Sequence, residues 1–284
     1  MWSYIVGLVA CLIIFANPIT DLLYGKPSGR PASSKLSPRP ELNESLLAID
    51  GPDAPALQCP QDTYKARVLR REPLVVYLED FLSEEERNHL LTISEPLFEP
   101  STITHDASSS SRDTTIRDSS VALIPRTDTV RCVEKRALAF QGWRRDVWVE
   151  RLRTQLYESP SGHYSHHFDW SRSYAGGWGR VSSFMAWIDD GQGSLEGGGT
   201  EFPLLEPRLN DENRDNWCQL IECGESIEEA EGKGTTFKVK PGNAVYWENF
   251  MPDGRGYEET WHAGLPVTKG TKVGLNIWSF GRIE

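Results

Sequence analysis

Tyr164-Ser165-His166-His167-Phe168-Asp169 is the stretch on which the reading of this chain turns. Read as an extended strand, it points His167 and Asp169 to one side, because side chains two positions apart share a face. His166 is out of step with that pair, faces the other way, and reads as a supporting or surface residue. Far down the chain, His262 can complete a set of two imidazoles and one carboxylate. That is the donor set of non-haem iron(II) sites, which leaves coordination positions open for O2 and a cosubstrate. Lys272, on the next stretch, is placed to hold the far carboxylate of such a cosubstrate.

Outward from this stretch the chain is mostly strand. Short aromatic or β-branched runs at 74–78, 152–157, 163–169, 181–188, 235–239, 244–247, 260–263 and 272–278 are separated by Gly and Pro turns. That spacing predicts a mainly β domain with flanking helices, an antiparallel sandwich or jelly roll. Ser83 followed by Glu86 is a capping box and starts a helix that runs through Ile93. A second helix is expected over 129–142, with Val130, Val133, Ala137, Leu138 and Phe140 as its apolar face. The acidic segment 204–234, which carries Trp217 and two cysteines, reads as a surface excursion near the site mouth. The serine run Ser108 to Ser111 reads as a flexible loop that could cover a substrate.

The 284 residues suffice for one large domain plus extras, and a net charge of -11 without a basic stripe argues against nucleic acid as a partner. Residues 2–16 are almost wholly apolar and suit a signal-peptide core or short signal anchor, so 1–24 is assigned that role and gives the chain a membrane association. Residues 25–61, rich in Pro, Ser and Gly, read as a flexible tether ahead of a catalytic domain at 62–284. Basic residues follow the apolar run and none precedes it, which by the positive-inside rule favours a cytosolic domain. Two features favour a lumenal one: the glycosylation sequon Asn43-Glu44-Ser45, and Cys59, Cys132, Cys218 and Cys223, enough for two disulfides. Cys218 with Cys223 is the expected bridge; free buried thiols are the alternative.

Four ordered motifs carry a family resemblance: Tyr164 to Asp169, Gly197-Gly198-Gly199-Thr200-Glu201-Phe202-Pro203, Pro241 to Trp247, and His262-Ala263-Gly264-Leu265-Pro266-Val267. Together they resemble the catalytic domain of the prolyl 4-hydroxylases, in the manner of their alpha subunits. Upstream, residues 74–96 are similar to that family's opening strand and helix, and Arg117-Asp118-Ser119 to its Arg-X-Ser segment. The resemblance implies a double-stranded β-helix and an Fe(II)- and 2-oxoglutarate-dependent dioxygenase that consumes O2, with L-ascorbate keeping the iron reduced. It makes His167, Asp169 and His262 the iron ligands. Lys272 and Thr200 would hold the cosubstrate carboxylate, Tyr157 and Trp278 would line its pocket, and Glu150, Tyr164 and Arg180 would face the substrate.

The implied substrate is proline, hydroxylated at C4 in a polypeptide, and the implied location is the endoplasmic reticulum membrane with a lumenal catalytic domain, or secretion. The sequence departs from the family pattern on the substrate side. The Tyr157-to-Tyr164 spacing is longer, the segment between Asp169 and Arg180 is short, and Phe280 stands where many relatives carry histidine. An oxygenase of a free amino acid or specialised metabolite therefore stays open, as does a non-catalytic domain that binds Pro-rich peptides.

Overall fold

Val75 and Tyr77 point to one side of the strand Leu74–Glu79 and Val76 and Leu78 to the other, and all four are buried. A strand with two buried faces belongs to a sheet covered on both sides. The computed structural model describes residues 39–43, 45–106, 109–170, 177–207, 209–210, 212–224 and 234–283. The compact unit spans Glu41–Glu284. Its larger sheet runs in the order Lys65–Arg71, Leu74–Glu79, Ala244–Glu248, Trp178–Asp189, Thr271–Arg282, Arg153–Glu158, Ser120–Leu123 and Glu99–Pro100, with Val147–Val149 beside the end of Thr271–Arg282. All of its pairings are antiparallel.

A five-stranded sheet, in the order Thr235–Phe237, Thr200–Phe202, His262–Gly264, His163–His167 and Arg117–Asp118, faces it. Between the sheets Val75, Tyr77, Met185, Trp187, Val245 and Trp247 pack on Phe202 and Phe237. This is the expected jelly roll of antiparallel sheets with flanking helices.

The helices cover the opposite face of the larger sheet. Helix α1, Glu84–Ser94, starts in the expected capping box: the Glu86 amide donates to the Ser83 hydroxyl, and the Ser83 amide donates to the Glu86 carboxylate. Helix α2, Asp128–Phe140, is capped by Thr127, whose hydroxyl accepts from the Val130 amide. Leu90 from α1 and Val130, Val133 and Ala137 from α2 pack on Val76, Leu78, Phe184, Ala186, Leu275 and Ile277. Each such fully buried aliphatic or aromatic side chain contributes about 1.5–3 kcal/mol.

Glu86 also joins the two helices, since Arg136 on α2 donates to both its oxygens at 2.8 Å and to Asp62. Glu86 and Arg136 are both only 6% exposed. Arg136→Ala strands the Glu86 carboxylate in the interior, and removing one partner of a buried pair costs about 3–5 kcal/mol. Urea denaturation should show that loss, and Glu86→Leu/Arg136→Met should recover most of it by removing both charges.

Two expectations are corrected. Residues 41–61 are a docked strap rather than the end of a tether. Leu47 is buried and bridges to Glu150, the Ala48 amide donates to the Val149 carbonyl, and Asp50 pairs with Arg126 and Arg131. A disulfide from Cys59 to Cys132 fastens the strap to α2. The described part of 204–234 is likewise no surface excursion. Leu205, Trp217, Leu220 and Ile221 enter the core between the sheets, the short helix Arg214–Cys218 carries Trp217 inward, and Cys218 is bonded to Cys223.

Ser109–Ser111 of the serine run form a small hairpin with Ile103–Asp106, while Ser108 lies outside the described residues. So do 1–38, with the expected signal segment and most of the expected tether.

Candidate active site

The strands His163–His167 and His262–Gly264 lie side by side in the smaller sheet, and His167 is in register with His262. Strand pairing thus joins two parts of the sequence that are far apart. The ligand atoms of His167, Asp169 and His262 all lie within 4.8 Å of one another. Asp169 Oδ1 is 3.8 Å from His167 Nε2, and its Oδ2 is 4.0 Å from His262 Nε2.

Each ring is fixed from behind: His167 Nδ1 bonds the Ser165 carbonyl and His262 Nδ1 the Thr260 carbonyl, both at 2.9 Å. A carbonyl only accepts, so both Nδ1 atoms carry the proton and both Nε2 lone pairs face the shared point. Phe202 and Trp247 pack against the His262 ring at 5.2 and 5.0 Å. Burial, then the neighbouring His262, pushes His167 down to about 3, so it is a neutral donor. Burial raises Asp169, yet the two imidazoles and Arg180 outweigh it and hold the carboxylate below its ordinary value. A neutral imidazole at His167 and an anionic carboxylate at Asp169 are the protonation states a metal requires.

Deeper in the same pocket is a seat for an anion. The Lys272 ammonium is 1% exposed, donates to the Gly198 carbonyl at 2.5 Å and sits 4.8 Å from the centre of the Tyr157 ring. Burial pushes it down to about 7. Beside it the Thr200 hydroxyl is buried with no hydrogen-bond partner. A buried cation answered by a neutral carbonyl, next to an unsatisfied hydroxyl, is stabilised by a carboxylate reaching both. Gly198 permits the close backbone: its φ is +73° and a Cβ there would lie 3.4 Å from Lys272 Cδ. These donors fit Fe(II) held by His167, Asp169 and His262, with 2-oxoglutarate anchored at Lys272 and Thr200.

The pocket is lined by Gln155, Tyr157, Tyr164, Met185, Trp247 and Asn276 besides the residues just named. Tyr157 lines it, its hydroxyl donating to Gln155 Oε1 at 2.5 Å. Trp278 does not. It shares the strand face of Lys272 and Asn276 but lies farther along, under the Arg180 guanidinium at 3.8 Å. Trp247 and Asn276 take the lining role expected of it, and neither was expected from sequence. The signal for Asn276 was its two-residue alternation with Lys272.

Tyr164 also surprises by geometry. Simple alternation puts it on the face opposite His167, but a bulge between the two turns it onto the same side, where its ring stacks on His167 at 3.7 Å. Glu150 and Arg180 form a bidentate pair at 2.6 and 3.0 Å. His166 points away as expected, to Glu201 at 2.7 Å.

Residues 152–280 match the family model described as the 2OG-Fe(II) oxygenase superfamily. The chain is 27% identical over 215 residues to prolyl 4-hydroxylase 5 of Arabidopsis thaliana, covering 74% of this chain and 69% of that one. It is 26% identical over 259 residues to probable prolyl 4-hydroxylase 10 of the same plant, covering 89% and 82%. A viral collagen prolyl hydroxylase from Paramecium Bursaria Chlorella virus-1 superposes with a TM-score of 0.49 at 19% identity, over 73% of this chain and 96% of that one.

Residues 152–280, which carry the iron-type triad, are thus similar to the 2OG-Fe(II) oxygenases. Among these the chain is prolyl 4-hydroxylase-like, a 2-oxoglutarate-dependent dioxygenase that uses Fe(II) and O2.

Proposed function

We propose that the enzyme hydroxylates C4 of proline within a polypeptide. The reading rests on the metal triad and the Lys272–Thr200 anion seat opening into one pocket, together with the similarity to curated prolyl 4-hydroxylases. Bound at the triad, Fe(II) supplies the coupling of oxidative decarboxylation of 2-oxoglutarate by O2 to hydroxylation of a C–H bond.

The protein's own part is positional. The Ser165 and Thr260 carbonyls hold both imidazoles as Nε2 donors. Lys272 and Thr200 fix one end of the cosubstrate, and the Tyr157 ring flanks the ammonium. The burial of Asp169, His262 and Lys272 keeps bulk water from the reacting groups. Tyr164, Trp278, Arg180 and Glu150 present an aromatic and hydrogen-bonding surface to the substrate.

The location we propose is an oxidising compartment of the secretory pathway, reached through residues 1–24 as signal anchor or signal peptide. The Cys59–Cys132 and Cys218–Cys223 bridges support it. L-ascorbate serves as the reductant that keeps iron in the ferrous state.

The test incubates the full chain with Fe(II), 2-oxoglutarate, ascorbate and a panel of proline-containing peptides, and reads a 16 Da mass gain and succinate release. Peptide hydroxylation that disappears in His262→Ala is the expected result. Succinate release with no modified peptide would move the substrate to a small molecule.

A further inference from the structure

The protein is acidic overall, with a net charge of -11, yet the rim of its active site is ringed by guanidinium groups. Arg117 comes from the smaller sheet and lies over the ring of Tyr164 at 4.6 Å. Arg153 and Arg180 come from two strands of the larger sheet and lie over Trp278 at 5.6 and 3.8 Å. Arg117 and Arg153 border the pocket without lining it. Tyr164 lines the pocket, and Arg153 shares a strand face with Gln155 and Tyr157, which line it too.

The carboxylates at hand do not balance this charge. Glu150 gives both oxygens to Arg180, at 2.6 and 3.0 Å, and approaches Arg153 only to 3.6 Å. Arg117 donates through Nε to the Ser119 hydroxyl at 3.0 Å, while its Nη2 is buried with no hydrogen-bond partner. Asp118, next in sequence, is taken by Ser161 and lies 3.8 Å from Arg112. Burial and the nearby Arg180 and Arg117 push Arg153 below the ordinary guanidinium value, outweighing the pull of Glu150. The cosubstrate's far carboxylate has its own seat at Lys272 and does not answer the rim.

Resting on the reading of the enzyme as a peptidyl proline hydroxylase, we propose that Arg117 and Arg153 bind a substrate carboxylate, so that the hydroxylated proline lies beside an aspartate or glutamate. A guanidinium is a planar fork matched to a carboxylate, and its stacking on Tyr164 or Trp278 holds the fork in place before binding. A neutral neighbour would leave Arg117 Nη2 buried without a partner. Arg180, already committed to Glu150, braces Trp278 and holds the rim in shape.

The experiment compares peptides that differ only beside proline, carrying Asp, its isostere Asn, or Lys. The full-length enzyme and its Arg153→Gln, Arg153→Lys and Arg117→Gln variants are assayed with Fe(II) and 2-oxoglutarate. The Asp peptide is expected to have a KM on the order of tenfold below the Asn peptide, consistent with a charge-assisted pair. Both Gln variants should abolish that preference while leaving the KM for 2-oxoglutarate unchanged, and Arg153→Lys should restore part of it. Equal use of Asp and Asn peptides by the unaltered enzyme overturns the proposal and leaves proline hydroxylation standing.

If no peptide is hydroxylated, the proline reading falls, and the rim is decided by fluorescence anisotropy with labelled Asp and Asn peptides. Tighter binding of the Asp peptide, weakened by salt and lost in Arg153→Gln, supports carboxylate recognition. Equal binding refutes it.

Discussion

An Asp169→Asn enzyme is expected to lose its iron and its activity together while keeping its fold. Asp169 is the sole anion of the triad, and its two oxygens address the two imidazoles. Asparagine keeps the shape and removes the charge. Metal affinity should fall by more than about 100-fold, beyond the 10–100-fold typical of residues that merely support a ligand. A metal that binds only the native state raises its stability in proportion to the logarithm of occupancy. The unaltered protein should therefore melt higher with Fe(II), added anaerobically, than without it, and Asp169→Asn should show no such rise. Equal metal-induced shifts in the two proteins would remove Asp169 from the ligand set. Apo melting temperatures that differ little would show that the loss is chemical rather than structural.

Lys272→Met is expected to raise the KM for 2-oxoglutarate by two orders of magnitude or more, since it removes the charged partner of a buried carboxylate. The same change should make the apo protein more stable. Burial lowers Lys272 from its ordinary 10.5 to about 7, so between those values the unfolded chain binds the extra proton. The burden on stability is full below pH 7 and is relieved as pH rises towards 10.5. Urea titrations at pH 6 and pH 9 should show the Lys272→Met advantage at pH 6 shrinking at pH 9.

Cosubstrate binding reverses the shift, because a carboxylate beside the amine restores its proton. At pH 8 each 2-oxoglutarate bound should thus draw nearly one proton from solution. Calorimetry in buffers of different ionisation enthalpy would count it, and Lys272→Met should take up none. An uptake near zero in the unaltered enzyme would mean that Lys272 is already charged in the empty pocket.

The parts of this site that could be read from sequence are those governed by short-range geometry. His167 and Asp169, two residues apart, come together as their spacing suggested, although the strand ends at His167 and Asp169 stands just past it, and the Ser83–Glu86 capping box announces its helix within four residues. What escaped is decided by depth and by the backbone. Alternation assigns Trp278 to the face of Lys272 but cannot say how far along that face the pocket ends, so Asn276 and Trp247 line it instead. The bulge that brings Tyr164 over His167 depends on pairing with His262–Gly264, a partner distant in sequence. The docking of residues 41–61 uses main-chain bonds at Leu46 and Ala48, to which composition is blind. The arginine rim gathers residues from separate strands of two sheets, and only folding brings them beside one pocket.

The strand Thr271–Arg282 lies between Trp178–Asp189 and Arg153–Glu158 near the middle of the larger sheet, yet it follows every other described strand in the chain. Synthesis delivers N-terminal parts first, so those two neighbours must wait with open edges for a strand made after both. Unpaired edges invite pairing with other chains. The newly made protein is therefore exposed to aggregation until this strand is made and paired. The late arrival also carries Lys272, so the step that seals the sheet is the step that completes the cosubstrate pocket. A chain stalled before this strand would have its metal ligands in hand and nowhere to seat 2-oxoglutarate, which ties competence for chemistry to completion of the sheet.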